Sequence, residues 1–298
     1  MDIKKKITEA AEKLEKNYKN QGIFEIGIGE KLPKRSEIIE IINEVRRLIF
    51  PGYFGSENTA YVTLRNFAGN TLAGIYEKLF KQIRIALIYQ SNGNKPDGID
   101  DIAEEKTLRF IDAIPDIQQL IFKDVEAELQ GDPAAGSKED IIFSYPGIYA
   151  IFVYRTAHVL YELNVPYIPR IMTEHAHSRT GIDINPGAKI GEYFFIDHGT
   201  GIVIGETTEI GSHVKIYQGV TLGAISTMKG QELSGIKRHP TIEDNVVIYA
   251  NTTILGGDTV VGKNSVVAGN TFVTQSIPEN TKVSAYVPEL MMQKYRTK

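Results

Sequence analysis

Large apolar residues recur every six positions through the C-terminal part of this 298-residue chain, and this repeat restricts its fold more than any other feature. An α-helix repeats about every 3.6 residues and a strand every two, so neither element explains the spacing. A hexapeptide period is typical of a parallel β-helix, in which three hexads form one triangular coil and the repeated residue points inward. The alternative is a chance pattern in a β-sandwich. The repeat forms two series, Ile184, Ile190, Ile196, Ile202, Thr208, Val214 and Val220, then Ile242, Ile248, Ile254, Val260, Val266 and Phe272.

The region upstream of the repeat has a different period. Apolar residues there recur at helical spacing, as Ile38, Ile41 and Val45 do. Chains with this hexad usually wind left-handed, against the right-handed rule for parallel crossovers. We therefore predict an α+β fold, with an α-helical N-terminal domain at 1–180, a left-handed parallel β-helix at 181–276 and a C-terminal tail at 277–298.

The six-residue count fails between Val220 and Ile242, which predicts that the chain leaves the coil there. This excursion loop, at 223–240, is rich in glycine and in basic residues. Loops carried by a rigid scaffold are common sites of ligand binding. We expect the loop to contribute ligand contacts.

Composition excludes several classes of function. The chain has no cysteine, so disulfides, thiolate metal sites and a cysteine nucleophile are excluded. Its formal net charge of −4 provides no overall attraction to nucleic acid or to an anionic membrane. No apolar run approaches the roughly 18 residues needed to span a bilayer, and the first residues do not resemble a signal peptide. We expect a cytoplasmic protein without a membrane or nucleic-acid partner.

Two residues of the first coil are candidates for acid–base chemistry. Asp183 and His198 lie fifteen positions apart, which places them on either side of one corner of a coil of about eighteen residues. A carboxylate that binds one imidazole nitrogen fixes the tautomer and leaves the other nitrogen as a base. The alternative is a surface histidine with an incidental acidic neighbour.

Several motifs together resemble the serine O-acetyltransferases. In the repeat they are GIDINPGAKIG at 181–191, IDHGTGIVIGET at 196–207, QGVTLG at 218–223 and RHP at 238–240. Upstream, DPA at 132–134 and Tyr154-Arg155 before His158 are similar to the helical domain of that family. The resemblance covers about 124–276, and LIFPGYFG at 48–55 extends it to members with a longer helical domain.

This resemblance implies a reaction and a role for each matched residue. Acetyl-CoA would donate its acetyl group directly to the hydroxyl of L-serine, without an acyl-enzyme and without a metal, for cysteine biosynthesis. His198 would be the general base and Asp183 would orient it. The substrate ammonium would bind Asp132 and Asp197, and its carboxylate Arg238, with His239 completing the pocket. Gly223, Ala224, Ala250 and Ala268 would line the CoA groove.

The resemblance also implies an assembly. A homotrimer or a dimer of trimers is expected, with the active site in the cleft between neighbours. Many members end in an isoleucine that enters cysteine synthase, whereas this sequence ends in Lys298, so that complex is not expected by the usual route. The longer excursion loop and the stretch Ala285-Tyr286-Val287-Pro288, in place of Gly-x-Pro-Ala, are expected to alter CoA contacts.

Individual residues have simpler alternatives. Asp132 would otherwise end a helix, and Arg238 would be a loop charge or a ligand of CoA phosphates. His213 is expected to be structural, as are Tyr154 and Arg155. His175 and His177 have no third partner that would make them a metal site.

Three other functions fit parts of the sequence. A hexapeptide acetyltransferase for a sugar or another amine would not need paired aspartates with Arg238. A zinc-dependent γ-type carbonic anhydrase would need three histidines, and the coil and loop offer only His198, His213 and His239. An inactive scaffold would not need the Asp183–His198 pair.

Overall fold

The computed structural model describes residues 3–21, 32–55, 63–91, 96–226, 228, 230–233 and 235–285. Over these residues seven α-helices precede fourteen short parallel strands, and the strands coil into a left-handed β-helix of about five turns. The predicted α+β fold is confirmed. The helices are α1 (Ile3–Gln21), α2 (Arg35–Ile49), α3 (Leu64–Gln90), α4 (Ile99–Gly131), α5 (Lys138–Ser144), α6 (Pro146–Glu162) and α7 (Ile168–Thr180).

The helical part forms around the apolar faces that its sequence predicts. Ile38, Ile41 and Val45 of α2 are fully buried. The side chain of Thr63 accepts the amide of Asn66 at the start of α3, because the first turn of a helix has unpaired N–H groups. Helix α4 continues through Pro115, which therefore does not divide it. No helix within the described ranges is both long enough and apolar enough to cross a membrane.

The strands build a three-sided prism. Its first sheet has the order β1-β4-β7-β10-β13, its second β11-β8-β5-β2 and its third β14-β12-β9-β6-β3. The strands are β1 (Asp183–Ile184), β2 (Lys189–Ile190), β3 (Phe195–Asp197), β4 (Val203–Ile204), β5 (Glu209–Ile210), β6 (Lys215–Tyr217), β7 (Thr221–Gly223), β8 (Thr241–Ile242), β9 (Val247–Ile248), β10 (Thr253–Leu255), β11 (Val260–Val261), β12 (Val266–Val267), β13 (Phe272–Val273) and β14 (Lys282–Val283). The pairing therefore extends past position 276, where the sequence predicts the β-helix to end.

The repeat changes phase once near its start. Ile184 pairs with Ile204, twenty positions later, whereas Ile204 pairs with Leu222 after eighteen. The two extra residues lie in the turn at 198–202 between β3 and β4, since the matching turn between β6 and β7 spans only 218–220. His198 begins the longer turn. The sequence hides this change, because Ile202 and Ile204 are both buried and the six-residue repeat therefore appears to continue through Ile202.

A second change of phase corrects the later series. Val261, Val267 and Val273 point inward, whereas Phe272, predicted to be inside, has 71% of its surface exposed. Val261 follows Ile254 by seven positions instead of six, and the extra residue lies at Gly256, whose φ of +109° suits glycine alone. The expectation that Val260, Val266 and Phe272 face the core is therefore wrong by one position.

The helices cover the open end of the prism. The first coil has backbone groups without a strand partner, and buried side chains of α4 and α6 satisfy them. Asp124 forms a bidentate pair with Arg155 at 2.6 and 2.8 Å and accepts the amide of Phe194. Arg155 donates to the carbonyls of Ile190 and Gly191. The first coil is thus held in register with the helical part.

Candidate active site

Two edges of the prism carry the predicted site residues. We call the edge between the third and first sheets the histidine edge, because the turn at 198–202 crosses it, and the edge between the first and second sheets the loop edge, because the excursion loop leaves there. Each strand of the first sheet runs from the histidine edge to the loop edge. Among the described residues, no hydrogen bond or ion pair therefore joins one edge to the other.

His198 presents an accessible imidazole at the histidine edge. Its backbone has a φ of +57°, a left-handed conformation that is unfavourable for a residue with a side chain. The side chain is 72% exposed, and its Nδ1 lies 3.5 Å from Oδ1 of Asp197. The imidazole of His198 is therefore open to solvent and lies beside a carboxylate.

Asp183 lies across the same edge but does not contact His198. Its Oδ1 is 3.4 Å from Nη1 of Arg170 on α7. Among the described residues no hydrogen bond joins Asp183 to His198, so the direct contact predicted from the sequence is absent here. The reason is that each group has a nearer partner, Arg170 for the carboxylate and Asp197 for the imidazole.

Asp132 brings a further carboxylate to the histidine edge. It follows the last residue of α4, and its Oδ1 accepts the amide of Ala134 at 2.7 Å, so it does end its helix. Its Oδ2 accepts the hydroxyl of Tyr145 at 2.5 Å. That hydroxyl, the Ala134 amide and the nearby His198 lower the pKa of Asp132, and Asp132 in turn raises the pKa of Tyr145 to about 12. Asp132 therefore remains an anion close to His198.

Glu128 is a fourth acidic group near this edge, and the sequence did not predict it. Its side chain is buried, and Oε1 accepts the amide of Ile196 at 3.0 Å. Burial, followed by repulsion from Asp197, Asp124 and Asp132, raises the pKa of Glu128 well above its usual range. The position four residues before Asp132, on the same face of α4, is the signal that could have revealed it.

Tyrosines and small residues continue the histidine edge below His198. Asp197 pairs with Tyr217, and the register then places Tyr249 and Ala268 in the following coils. The rings of Tyr217 and Tyr249 stack at 5.1 Å. Ala250, beside Tyr249, lies on this edge as well, so two of the four residues predicted to line a CoA groove are here.

The other two predicted groove residues, Gly223 and Ala224, lie at the loop edge. Gly223 ends β7 and pairs with Leu255. A Cβ at Gly223 would lie 2.9 Å from the end of the Leu255 side chain, so a larger residue here would require that side chain to move.

His239 is fixed at the loop edge by Thr207. Its Nδ1 accepts the backbone N–H of Thr207 at 3.1 Å, and its ring packs against Gly205, where a Cβ would lie 2.0 Å from the imidazole. Burial, and then Arg238, lowers the pKa of His239 to about 4. The ring is therefore neutral near pH 7 with its proton on Nε2.

Arg238 is positioned but already paired. Its guanidinium forms an ion pair with Glu206 and donates to the carbonyls of Leu233, at 3.1 Å, and Ile236. Glu206 also accepts the hydroxyl of Tyr161 at 3.2 Å. Arg238 is therefore a held cation rather than a solvated loop charge.

The remaining histidines have other surroundings. His213 stacks on Tyr193 at 4.4 Å, at the third edge of the prism, and His175 is buried beside Tyr149. His198, His213 and His239 thus occupy three different edges, and one chain does not bring them together. Tyr154 donates to the carbonyl of Ala188 at 2.5 Å, which with the Asp124–Arg155 pair confirms the structural interpretation of Tyr154 and Arg155.

One group of side chains has the donor atoms of a metal site. Glu174, His177 and Asp183 place one oxygen or nitrogen each within 4.8 Å of one another. Arg170 forms ion pairs with both carboxylates, so two of the three groups already have a cationic partner. The structure thus places His177 beside Glu174 and Asp183 and not with His175.

Comparisons with known proteins point to one family. No protein-family model matches the chain. The plasmid serine acetyltransferase of Synechococcus elongatus is 48% identical over 227 residues, which cover 74% of this chain and 71% of the relative. Serine acetyltransferase 1 of Entamoeba histolytica, solved in complex with L-cysteine, has a TM-score of 0.72 at 33% identity and covers 86% of this chain and 88% of its own. Isoform 3 of the same organism, solved with cysteine, has a TM-score of 0.73 at 34% identity, with coverage of 89% and 86%.

Proposed function

The chain belongs to the serine acetyltransferase family, and we propose that it transfers the acetyl group of acetyl-CoA to the hydroxyl of L-serine, giving O-acetyl-L-serine and CoA. The observation that carries the proposal is the histidine edge, where an exposed imidazole lies among the carboxylates of Asp197, Asp132 and Asp183. A base beside several anions suits an acceptor that carries both a hydroxyl and an ammonium group.

His198 acts as the general base in this proposal. It takes the proton of the serine hydroxyl while that oxygen attacks the thioester carbonyl, and the C–S bond then breaks as the tetrahedral intermediate collapses. The imidazolium returns the proton to the departing CoA sulfur. Positioned proton transfer of this kind contributes about 10²–10⁴-fold to the rate.

Asp183 orients the imidazole after it leaves Arg170. Arg170 is half exposed and has Glu174 as a second partner, so the Asp183 carboxylate can turn toward His198 without leaving Arg170 unpaired. Asp197 is then free to bind the substrate ammonium together with Asp132. A carboxylate on one imidazole nitrogen leaves the other as the base.

The substrate carboxylate binds Arg238 and His239 of a neighbouring copy. Both residues lie at the loop edge, away from His198, so the two halves of the pocket require the histidine edge of one chain and the loop edge of another. The Glu206 pair holds the guanidinium in place, and its remaining N–H groups suit a planar carboxylate. Neutral His239 contributes an Nε2–H donor.

The predicted CoA-groove residues are also divided between the two edges, which supports a trimer that binds CoA between its chains. Gly223 and Ala224 lie at the loop edge, whereas Ala250 and Ala268 lie at the histidine edge, so the proposed groove again spans two copies. A three-sided prism that packs edge to edge around a threefold axis forms three such grooves. We propose a homotrimer, with acetyl-CoA between neighbouring chains and no resident metal.

The wider role follows from the product. O-acetyl-L-serine is an activated form of serine for cysteine synthesis, and we place the reaction in the cytoplasm, where acetyl-CoA is consumed. The residues on which the cysteine synthase expectation depends, up to Lys298, lie outside the described residues, as do Tyr286–Pro288 of the altered CoA stretch.

A test compares acceptors. Purified protein is incubated with acetyl-CoA and either L-serine, L-threonine, glucosamine or a simple primary amine, and free CoA and the acetylated product are measured. We expect kcat/KM to be highest for L-serine, with acetyl on its oxygen. A higher kcat/KM for an acceptor that is not an amino acid would overturn the proposal.

A further inference from the structure

Glu128 connects the helical part to the strand that carries Asp197 and His198. Strand β3 is the outermost strand of the third sheet, so the amide of Ile196 has no strand partner on its open side. Glu128 Oε1 accepts that amide, and a Cβ at Gly147 would lie 2.8 Å from the Ile196 carbonyl oxygen. Helices α4 and α6 therefore clamp β3 immediately before its functional end.

The second oxygen of Glu128 has no hydrogen-bond partner within the described part of the chain. This oxygen is fully buried, although Glu128 lies close to Asp132 and Asp197 at the histidine edge. A buried carboxylate with one hydrogen bond is strongly unfavourable, so the surroundings of Glu128 favour its neutral form. Burial raises its pKa in agreement with this.

The groups that face Glu128 are mostly anions. They are Asp124 on α4, Asp132 immediately after α4, Asp197 on β3, Tyr145 at the start of α6 and Tyr217 on β6. The nearby cation, Arg155, is bound to Asp124 on both of its oxygens. A cation that arrives between Asp132 and Asp197 would offset the repulsion from these two anions and so favour the anionic form of Glu128.

We propose that Glu128 is a positioning residue of the amine site: it holds the Asp197–His198 turn through Ile196 and releases its proton to solvent when a cationic amine binds Asp132 and Asp197. The inference rests on the proposed function, because the ammonium of L-serine is the cation. Proton release places a third negative charge next to the ammonium and strengthens its binding.

A glutamine at position 128 separates this role from a purely structural one. The amide oxygen of Gln still accepts the Ile196 N–H, but the side chain has no proton to release. Glu126→Gln is the matched control, because Glu126 lies on the same helix, is partly exposed and pairs with Lys138.

The experiment is calorimetric titration of L-serine into wild type, Glu128→Gln and Glu126→Gln, at one pH near neutrality in buffers of different ionisation enthalpy. We expect wild type and Glu126→Gln to release the same fraction of a proton per serine and Glu128→Gln to release none. The KM of Glu128→Gln for serine should be about tenfold higher than that of wild type, with a smaller change in kcat. Equal proton release by Glu128→Gln and wild type would overturn the inference.

A second measurement covers the case in which Glu128→Gln does not fold. Infrared difference spectra of wild type should show that the C=O band of a protonated carboxyl group disappears when serine is added, and an unchanged band would overturn the inference. A wild type that neither binds serine nor acetylates it would overturn the proposed function itself.

Discussion

Thr207 and His239 form hydrogen bonds to each other in both directions at the loop edge. The backbone N–H of Thr207 donates to Nδ1 of His239, and the Thr207 hydroxyl lies 2.9 Å from the same nitrogen. The hydroxyl oxygen also accepts the amides of Arg238, at 2.9 Å, and His239, at 3.1 Å. One threonine thus positions both residues to which we assign the substrate carboxylate.

Replacing Thr207 by valine should weaken serine binding. The change keeps the shape but removes the hydroxyl, and with it the acceptor for two amides of the loop. We expect KM for serine to rise about tenfold, equivalent to about 1–2 kcal/mol, with little change in KM for acetyl-CoA. Steady-state kinetics check this, and equal increases in both constants would contradict it.

His239 should make the folded protein sensitive to acid. Burial lowers its pKa from 6.5 to about 4, so the unfolded chain takes up the proton first as pH falls. The contribution of His239 to stability is therefore complete above about pH 6.5 and is lost as pH falls toward about 4. His239→Asn should lose less stability than wild type between pH 7 and about pH 5, measured as urea midpoints; an equal loss would show that His239 does not titrate this way.

Two neighbouring valines test the corrected phase of the repeat. Val267 is fully buried and Val266 faces outward on the same strand. Replacing either valine by alanine therefore lowers strand propensity by a similar amount. Val267→Ala should cost about 2 kcal/mol in the free energy of unfolding, and Val266→Ala less than about 1 kcal/mol. Denaturant titration would contradict the phase if Val266→Ala were the more destabilising.

Arg170 and Asp183 test how the imidazole is oriented. Asp183→Asn should lower kcat about tenfold to hundredfold, because the amide no longer favours the imidazolium or fixes its tautomer. Arg170→Gln should retain at least the wild-type kcat, because it releases Asp183 toward His198. If Arg170→Gln lowered kcat as much as Asp183→Asn, the ion pair itself would be required and the orienting role of Asp183 would be wrong.

The period of the repeat predicted the fold because each hexad is a local unit. Ile184 and its successors identify a coil whatever the rest of the chain does. The phase was harder to predict, because Ile202 and Ile204 both point inward and the two extra residues of the turn leave the count apparently unbroken. The extra residue at Gly256 shifted the later series in the same way.

The partners of the site residues depend on contacts between distant parts of the chain. Glu128 reaches Ile196 across 68 residues, and Arg170 approaches Asp183 from a helix outside the repeat. The spacing of residues within the coil predicts neither contact. It did place Asp183 and His198 at the same edge, but the side-chain pairing there is decided by α7 and by Asp197.

The most direct test asks whether one active site uses His198 of one chain and Arg238 of the next. His198→Ala should lower turnover by about 10²–10⁴-fold, and Arg238→Ala should raise KM for serine more than for acetyl-CoA. The two variants are co-expressed with different affinity tags and purified on both, so that every trimer contains each. One of the three sites then has both residues intact. We predict that kcat/KM for serine recovers to about one third of wild type. If the mixed trimers were no more active than the better single variant, an active site shared between two chains would be contradicted.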